Sequence, residues 1–124
     1  MKCVPFAVSY LTGASAQEVL ASLQEDGGYS ARKGRFPRSV YIPLLEKLGA
    51  KITAAVHEPG MTVKRWASIR AHHGDRSRWL VRVSGHVVVY HDGVIYDNNT
   101  PAGTATSASA VGKCRVTHAW QVAV

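Results

Sequence analysis

The chain has 124 residues, of which 46 % are hydrophobic and 19 % charged, a length and balance that fit one globular domain over residues 1–124 without disulfides or metal as staples. Its longest uncharged stretch, Thr100 to Gly112, is too short and too polar to span a bilayer, and the first residues hold no continuous apolar core leading to a cleavage site; a soluble, cytoplasmic protein with no membrane partner is the expectation. The formal net charge of +7 comes from dispersed groups: Arg32, Lys33, Arg35 and Arg38, then Lys64, Arg65 and Arg70, then Arg76, Arg78 and Arg82. That pattern suits a positive face for nucleic acid or an acidic protein, and equally a solvated basic surface, since no nucleic-acid motif accompanies it.

In chain order, Cys3 to Leu11 places Val4, Ala7, Val8 and Leu11 at helical spacing, with Pro5 near the start and Gly13 after the end. Cys3 therefore stands at a helix N-terminus. Ser15 followed by Glu18 is a capping box, and Val19, Leu20 and Leu23 supply the apolar stripe of a second helix that Gly27-Gly28 stops. Tyr29 to Pro37 reads as a basic loop. A third helix spans about Arg38 to Leu48, with Pro43 inside it as a sign of a kink or a late start, and Gly49 as its C′ residue. Lys51 to Val56 reads as a strand and Pro59-Gly60 as a turn. Thr62 caps a helix over Val63 to Ala71, which Gly74-Asp75 ends.

The period then changes to two. Arg78 to Val83 alternates, with Trp79, Val81 and Val83 on one face, and His86 to Tyr90 is a second strand. Asp92-Gly93 is the strongest hairpin signal in the chain, and Val94 to Tyr96 returns from it. Thr100 to Gly112 reads as a loop with room for one helical turn, and Arg115 to Val124 as a last strand. Helices fill the first half and an antiparallel sheet the second, which predicts an α+β fold.

Three residues carry candidate chemistry. A cysteine at a helix N-terminus feels the positive end of the dipole and unpaired N–H groups, and both favour thiolate. His86 opens a strand, and Asp97 lies just past the hairpin, so a tight turn brings the end of the return strand beside the start of the outgoing one. Asp97 is thereby placed to orient the His86 imidazole. Taken singly, each has a plain account: a small buried thiol, a strand-edge histidine, a turn aspartate. His57, His72, His73 and His118 lack metal-ligand spacing with one another or with the cysteines, and no phosphate-binding loop or dinucleotide fingerprint occurs, so neither metal nor cofactor is expected. The two cysteines, Cys3 and Cys114, are not expected to form a disulfide in a reducing compartment.

Together these pieces resemble the papain-like superfamily, and most closely the small C39-like cysteine-peptidase-like proteins often encoded by bacteriophages. The resemblance rests on Cys3-Val4-Pro5-Phe6-Ala7-Val8-Ser9-Tyr10-Leu11-Thr12-Gly13, the Ser15 to Leu23 helix, Val81 to Val89 around His86, and Asp92-Gly93-Val94-Ile95-Tyr96-Asp97. It implies helices packed on a C-terminal antiparallel sheet, with Cys3 as nucleophile, His86 as general base and later acid, and Asp97 as the orienting residue. Asn98 and Asn99 are adjacent candidates for that third role. Papain-like peptidases also place an oxyanion-stabilising glutamine a few residues before the cysteine, where this chain has only Met1 and Lys2. The implied activity is a thiol hydrolase acting on a peptide, isopeptide or amide bond of a peptide or protein substrate. The alternative is a catalytically weak or inactive scaffold that binds a host protein or nucleic acid.

Overall fold

The computed structural model describes residues 3–27, 38–56 and 60–123, with side chains at 24–27 excepted. The basic loop read for Tyr29 to Pro37, and His57, Gly28 and Pro59, lie outside the described residues. Three helices come first: α1 (Cys3–Thr12), α2 (Ala16–Gly27) and α3 (Arg38–Lys47). Strand β1 (Lys51–Val56) and helix α4 (Val63–His72) follow, then β2 (Arg78–Val83), β3 (His86–His91), β4 (Val94–Tyr96), β5 (Thr104–Ala105) and β6 (Val116–Ala123). The fold is α+β, with every strand pair antiparallel in the order β1-β6-β2-β3-β4-β5.

The helix boundaries follow from local chemistry. Ser15 Oγ accepts the Glu18 N–H at 3.1 Å at the start of α2, and Thr62 Oγ1 accepts the Arg65 N–H at 3.2 Å at the start of α4. Each hydroxyl satisfies one N–H that has no partner inside its helix. Pro43 does not delay or end α3, which runs from Arg38 through it. The ring removes the donor that would meet the carbonyl of Ser39, an exposed residue, while Tyr41, Leu44 and Leu45 are buried and hold the helix by packing.

The sheet separates two apolar clusters. On one face Leu80, Val87, Val89, Trp120 and Val122 meet Val4, Ala7, Val8 and Leu11 of α1, Val19 and Leu23 of α2, and Tyr41, Leu44 and Leu45 of α3. On the other, Trp79, Val81, Val83, Val88, Tyr90 and Ile95 meet Val63, Trp66 and Ala67 of α4. Odd and even positions of β2 and β3 divide between the two, as strand alternation requires. Burying such a side chain contributes about 1.5–3 kcal/mol, so two full faces stabilise the sheet as the middle layer of three.

The Asp92-Gly93 hairpin forms as expected. Both residues have positive φ, 49° and 84°, the pair of left-handed conformations of a type I′ turn, whose twist matches the strands it joins. Three things differ from the sequence expectation. The segment from Thr100 to Gly112 carries β5 and two short 3-10 turns, Thr106–Ala108 and Ala110–Lys113. β3 extends one residue further, to His91, and the last strand starts at Val116. That strand lies between β1 and β2. It carries one extra residue, Thr117, because Arg82 faces His118 while Val83 faces Val116.

Candidate active site

The site stands at the end of the sheet where β2 turns into β3. Val83 and His86 close that turn as a facing pair. In an antiparallel ladder, alternate residues turn their N–H groups to opposite neighbours. Even-numbered residues of β3 therefore bond to β2, and odd-numbered ones point towards β4. Because β4 stops at Tyr96, opposite Val89, the N–H of Val87 has no ladder partner on that side. It serves the sulfur of Cys3 instead.

Cys3 is the first residue of α1 and half-buried. Burial pushes its thiol up. The His86 ring, the Val87 N–H, the charge of the imidazole and the Val4 N–H outweigh burial, and the thiol lies below its ordinary range. All of these favour the anionic sulfur. His86 responds in the opposite sense. Its hydrogen bond to the Cys3 sulfur raises it, burial lowers it, and the charges of Cys3 and Asp97 with the Asp97 hydrogen bond leave it above the usual imidazole range. One shifts down and the other up, so the pair favours thiolate and imidazolium together.

Asp97 completes the arrangement. Its Oδ2 lies 3.5 Å from His86 Nε2, a length compatible with catalytic hydrogen bonds that tighten on substrate binding. This leaves Nδ1 of the ring for the thiol. The register explains the meeting: continuing the β3–β4 pairing past Val89 and Tyr96 sets Asp97 opposite Val88, two residues from His86 on the same face. The other oxygen, Oδ1, accepts from the Asn99 N–H at 2.9 Å, the Thr100 N–H at 2.8 Å and the Thr100 hydroxyl at 3.0 Å. Burial raises the carboxyl, but these donors and His86 hold it below the usual carboxylate range.

The structure therefore brings Cys3, His86 and Asp97 together. Of the two adjacent amides, Asn99 donates its backbone N–H to Asp97, and the buried Oδ1 of Asn98 has no hydrogen-bond partner. Sequence reasoning missed the Val87 N–H and the Thr100 clasp. The second had a signal in Asp97-Asn98-Asn99-Thr100, an aspartate followed two and three residues later by donors in a turn. Cys114 is exposed and also a free thiol. Among the described residues no group of three or more His, Cys, Asp or Glu side chains is placed to hold a metal ion. No helix among them is long and apolar enough to cross a membrane.

A cleft of about 640 Å³ opens at the opposite end of the sheet, lined by Arg76, Arg78, His91 and Gln121 among others. Its lining also holds Ser77, but the Ser77 hydroxyl accepts from Gln121 Nε2 at 2.6 Å and among the described residues no hydrogen bond joins it to His91, so chemistry rather than volume marks the site. Compared with family models, curated proteins and solved structures, the chain matches none.

Proposed function

We propose that the chain is a papain-like thiol hydrolase that cleaves a peptide, isopeptide or amide bond. The observation that carries this is the convergence of Cys3, His86 and Asp97, with the thiol shifted down and the imidazole shifted up. The order of parts supports the papain-like reading: a cysteine opening the first helix, a histidine opening a strand, an acid ending the next.

In this mechanism the Cys3 thiolate attacks the carbonyl carbon and the carbonyl π electrons move to oxygen. As the tetrahedral intermediate collapses, the C–N bond breaks and His86 gives its proton to the leaving amine. A thioester on Cys3 remains. His86, now neutral, takes a proton from water, whose oxygen attacks the thioester and releases the acid and the thiolate. Asp97 keeps the imidazole oriented and stabilises its charged form throughout.

Alkylation by iodoacetamide tests the first requirement. Cys3 should react at least about tenfold faster than Cys114 at pH 6.5, where an ordinary thiol is only about 1 % thiolate. The rate should fall as pH drops through the lowered thiol value, and His86→Ala should move that fall to higher pH. Equal rates at the two cysteines, unchanged in His86→Ala, would sink the proposal.

The basic surface favours a second reading, a binding scaffold for a host protein or a nucleic acid. Capture of a partner from host lysate that is undiminished by Cys3→Ser, with no acyl transfer by the wild type, would favour it.

A further inference from the structure

One row of facing residues crosses three strands beside the nucleophile: Val87 on β3, Arg82 on β2 and His118 on β6. Val87 is the residue whose N–H serves the Cys3 sulfur. Directly opposed residues share a face, so Arg82 and His118 stand on the side covered by α1, α2 and α3. The extra residue in β6 fixes this arrangement, and its hydroxyl, Thr117 Oγ1, donates to the Arg82 carbonyl at 3.1 Å.

From the helix side, Arg38 in the first turn of α3 reaches His118 Nε2. His118 in turn lies flat on Trp120, ring centres 5.6 Å apart, and Tyr41 meets the same Trp120 edge-on at 6.0 Å. The Tyr41 side chain is buried, 1 % exposed, and its hydroxyl has no hydrogen-bond partner. Burial pushes that phenol up to about 12, and it senses Arg82, Arg38 and Cys3 as its charged neighbours. It is therefore a protonated donor within the field of two guanidiniums and the nucleophile. Among the described residues no carboxylate pairs with Arg38 or Arg82. Charged donors and one buried, unsatisfied O–H collect here, and among the described residues the Cys3 sulfur rather than any carboxylate faces them, which leaves the composition of a carboxylate site.

We propose that Arg82, Arg38 and Tyr41 form a carboxylate-binding subsite beside Cys3, so that the thiol acts on substrates carrying a carboxylate next to the scissile carbonyl. This rests on the thiol-hydrolase reading. The carboxylate belongs to an acidic side chain or to a chain terminus, and the same chemistry recognises both.

The test compares two reagents of one size and opposite character, anionic iodoacetate and neutral iodoacetamide, as a ratio of rate constants at Cys3. The His86 imidazolium attracts iodoacetate by itself, so the decisive comparison is between variants that retain His86. Arg82→Met should lower the ratio about tenfold, the size of one half-screened charge interaction. Arg38→Met, at an exposed position on α3, should lower it about threefold and serves if Arg82→Met does not fold. Arg65→Met, on the far side of the sheet, should leave it unchanged. An unaltered ratio in both the Arg82 and Arg38 variants, with Cys3 still outpacing Cys114, overturns the subsite and leaves the thiolate reading standing. A Cys3 no faster than Cys114 with iodoacetamide overturns the thiolate reading itself. Peptidyl vinyl sulfones bearing an aspartate, an asparagine or a free terminal carboxylate then separate the sources: the faster carboxylate probe identifies the one used, and equal rates for all three overturn the subsite.

Discussion

Asp97 sits 6 % exposed with four polar contacts, three on one oxygen and His86 on the other. Its role is as much structural as chemical, because Asn99 and Thr100 rely on it for their N–H groups. Asp97→Ala removes the carboxylate acceptor from these donors, but Asn99 and Thr100 are exposed to water and the Thr100 N–H keeps the Asp97 backbone carbonyl at 3.1 Å, so the loss is about 1–2 kcal/mol. The pH dependence has a definite sign. The folded carboxyl lies below its unfolded value of about 3.9, so the stability it contributes is fully present above that value and is lost as pH falls through the folded one. Urea midpoints should therefore separate wild type from Asp97→Ala widely at pH 7 and much less near pH 3. A gap that stays constant across that range would show that the ionised carboxylate is not the group responsible.

The connection from β4 to β5 begins with Asp97 of the site. Gly103 there has φ of 94°, and a Cβ built on it would stand 2.6 Å from Tyr96 Cε1 and 2.7 Å from Val94 Cγ1. Both objections apply at once, a left-handed backbone and no space. Tyr96 cannot retreat freely, since its ring stacks on Tyr10 of α1 at 4.7 Å. Gly103→Ala should cost about 2 kcal/mol or more, read as a lower urea midpoint at unchanged slope, and should also slow Cys3 alkylation, because the strain is passed to α1. At this scale the sequence is legible where chemistry is local. Ser15, Thr62 and Asp92-Gly93 each declare an element boundary through a hydroxyl or a turn conformation that only a few residue types supply. The run from Thr100 to Gly112 is opaque because Ala, Gly, Ser and Thr carry no period, and its short strand and 3-10 turns are set by what they pack against. The site divides the same way. A tight hairpin suffices to bring Asp97 to His86, whereas the Val87 N–H matters only because β4 is short, and Tyr41 senses the charge of Cys3 only through the packing of α3 on Trp120.

On the scale of the whole molecule, the feature no local signal encodes is the place of β6. It bonds to β1 on one side and β2 on the other, and brings Trp120 to the core under α3. A chain ending at Arg115 loses both ladders of β6, and β1 is left with no neighbouring strand. It should show no cooperative urea transition, while a transition with near-native slope would mean that β2, β3 and β4 with their helices suffice alone. The position of β6 also has a consequence in time. A ribosome delivers Cys3 long before His86, and β6 after every other described strand. Until then β1 and β2 face an empty slot, with open edges that can recruit foreign strands. The cysteine meanwhile has neither its base nor a finished core behind it. A stalled nascent chain would thus carry Cys3 as an ordinary thiol, and completing the fold would supply the neighbours that lower it.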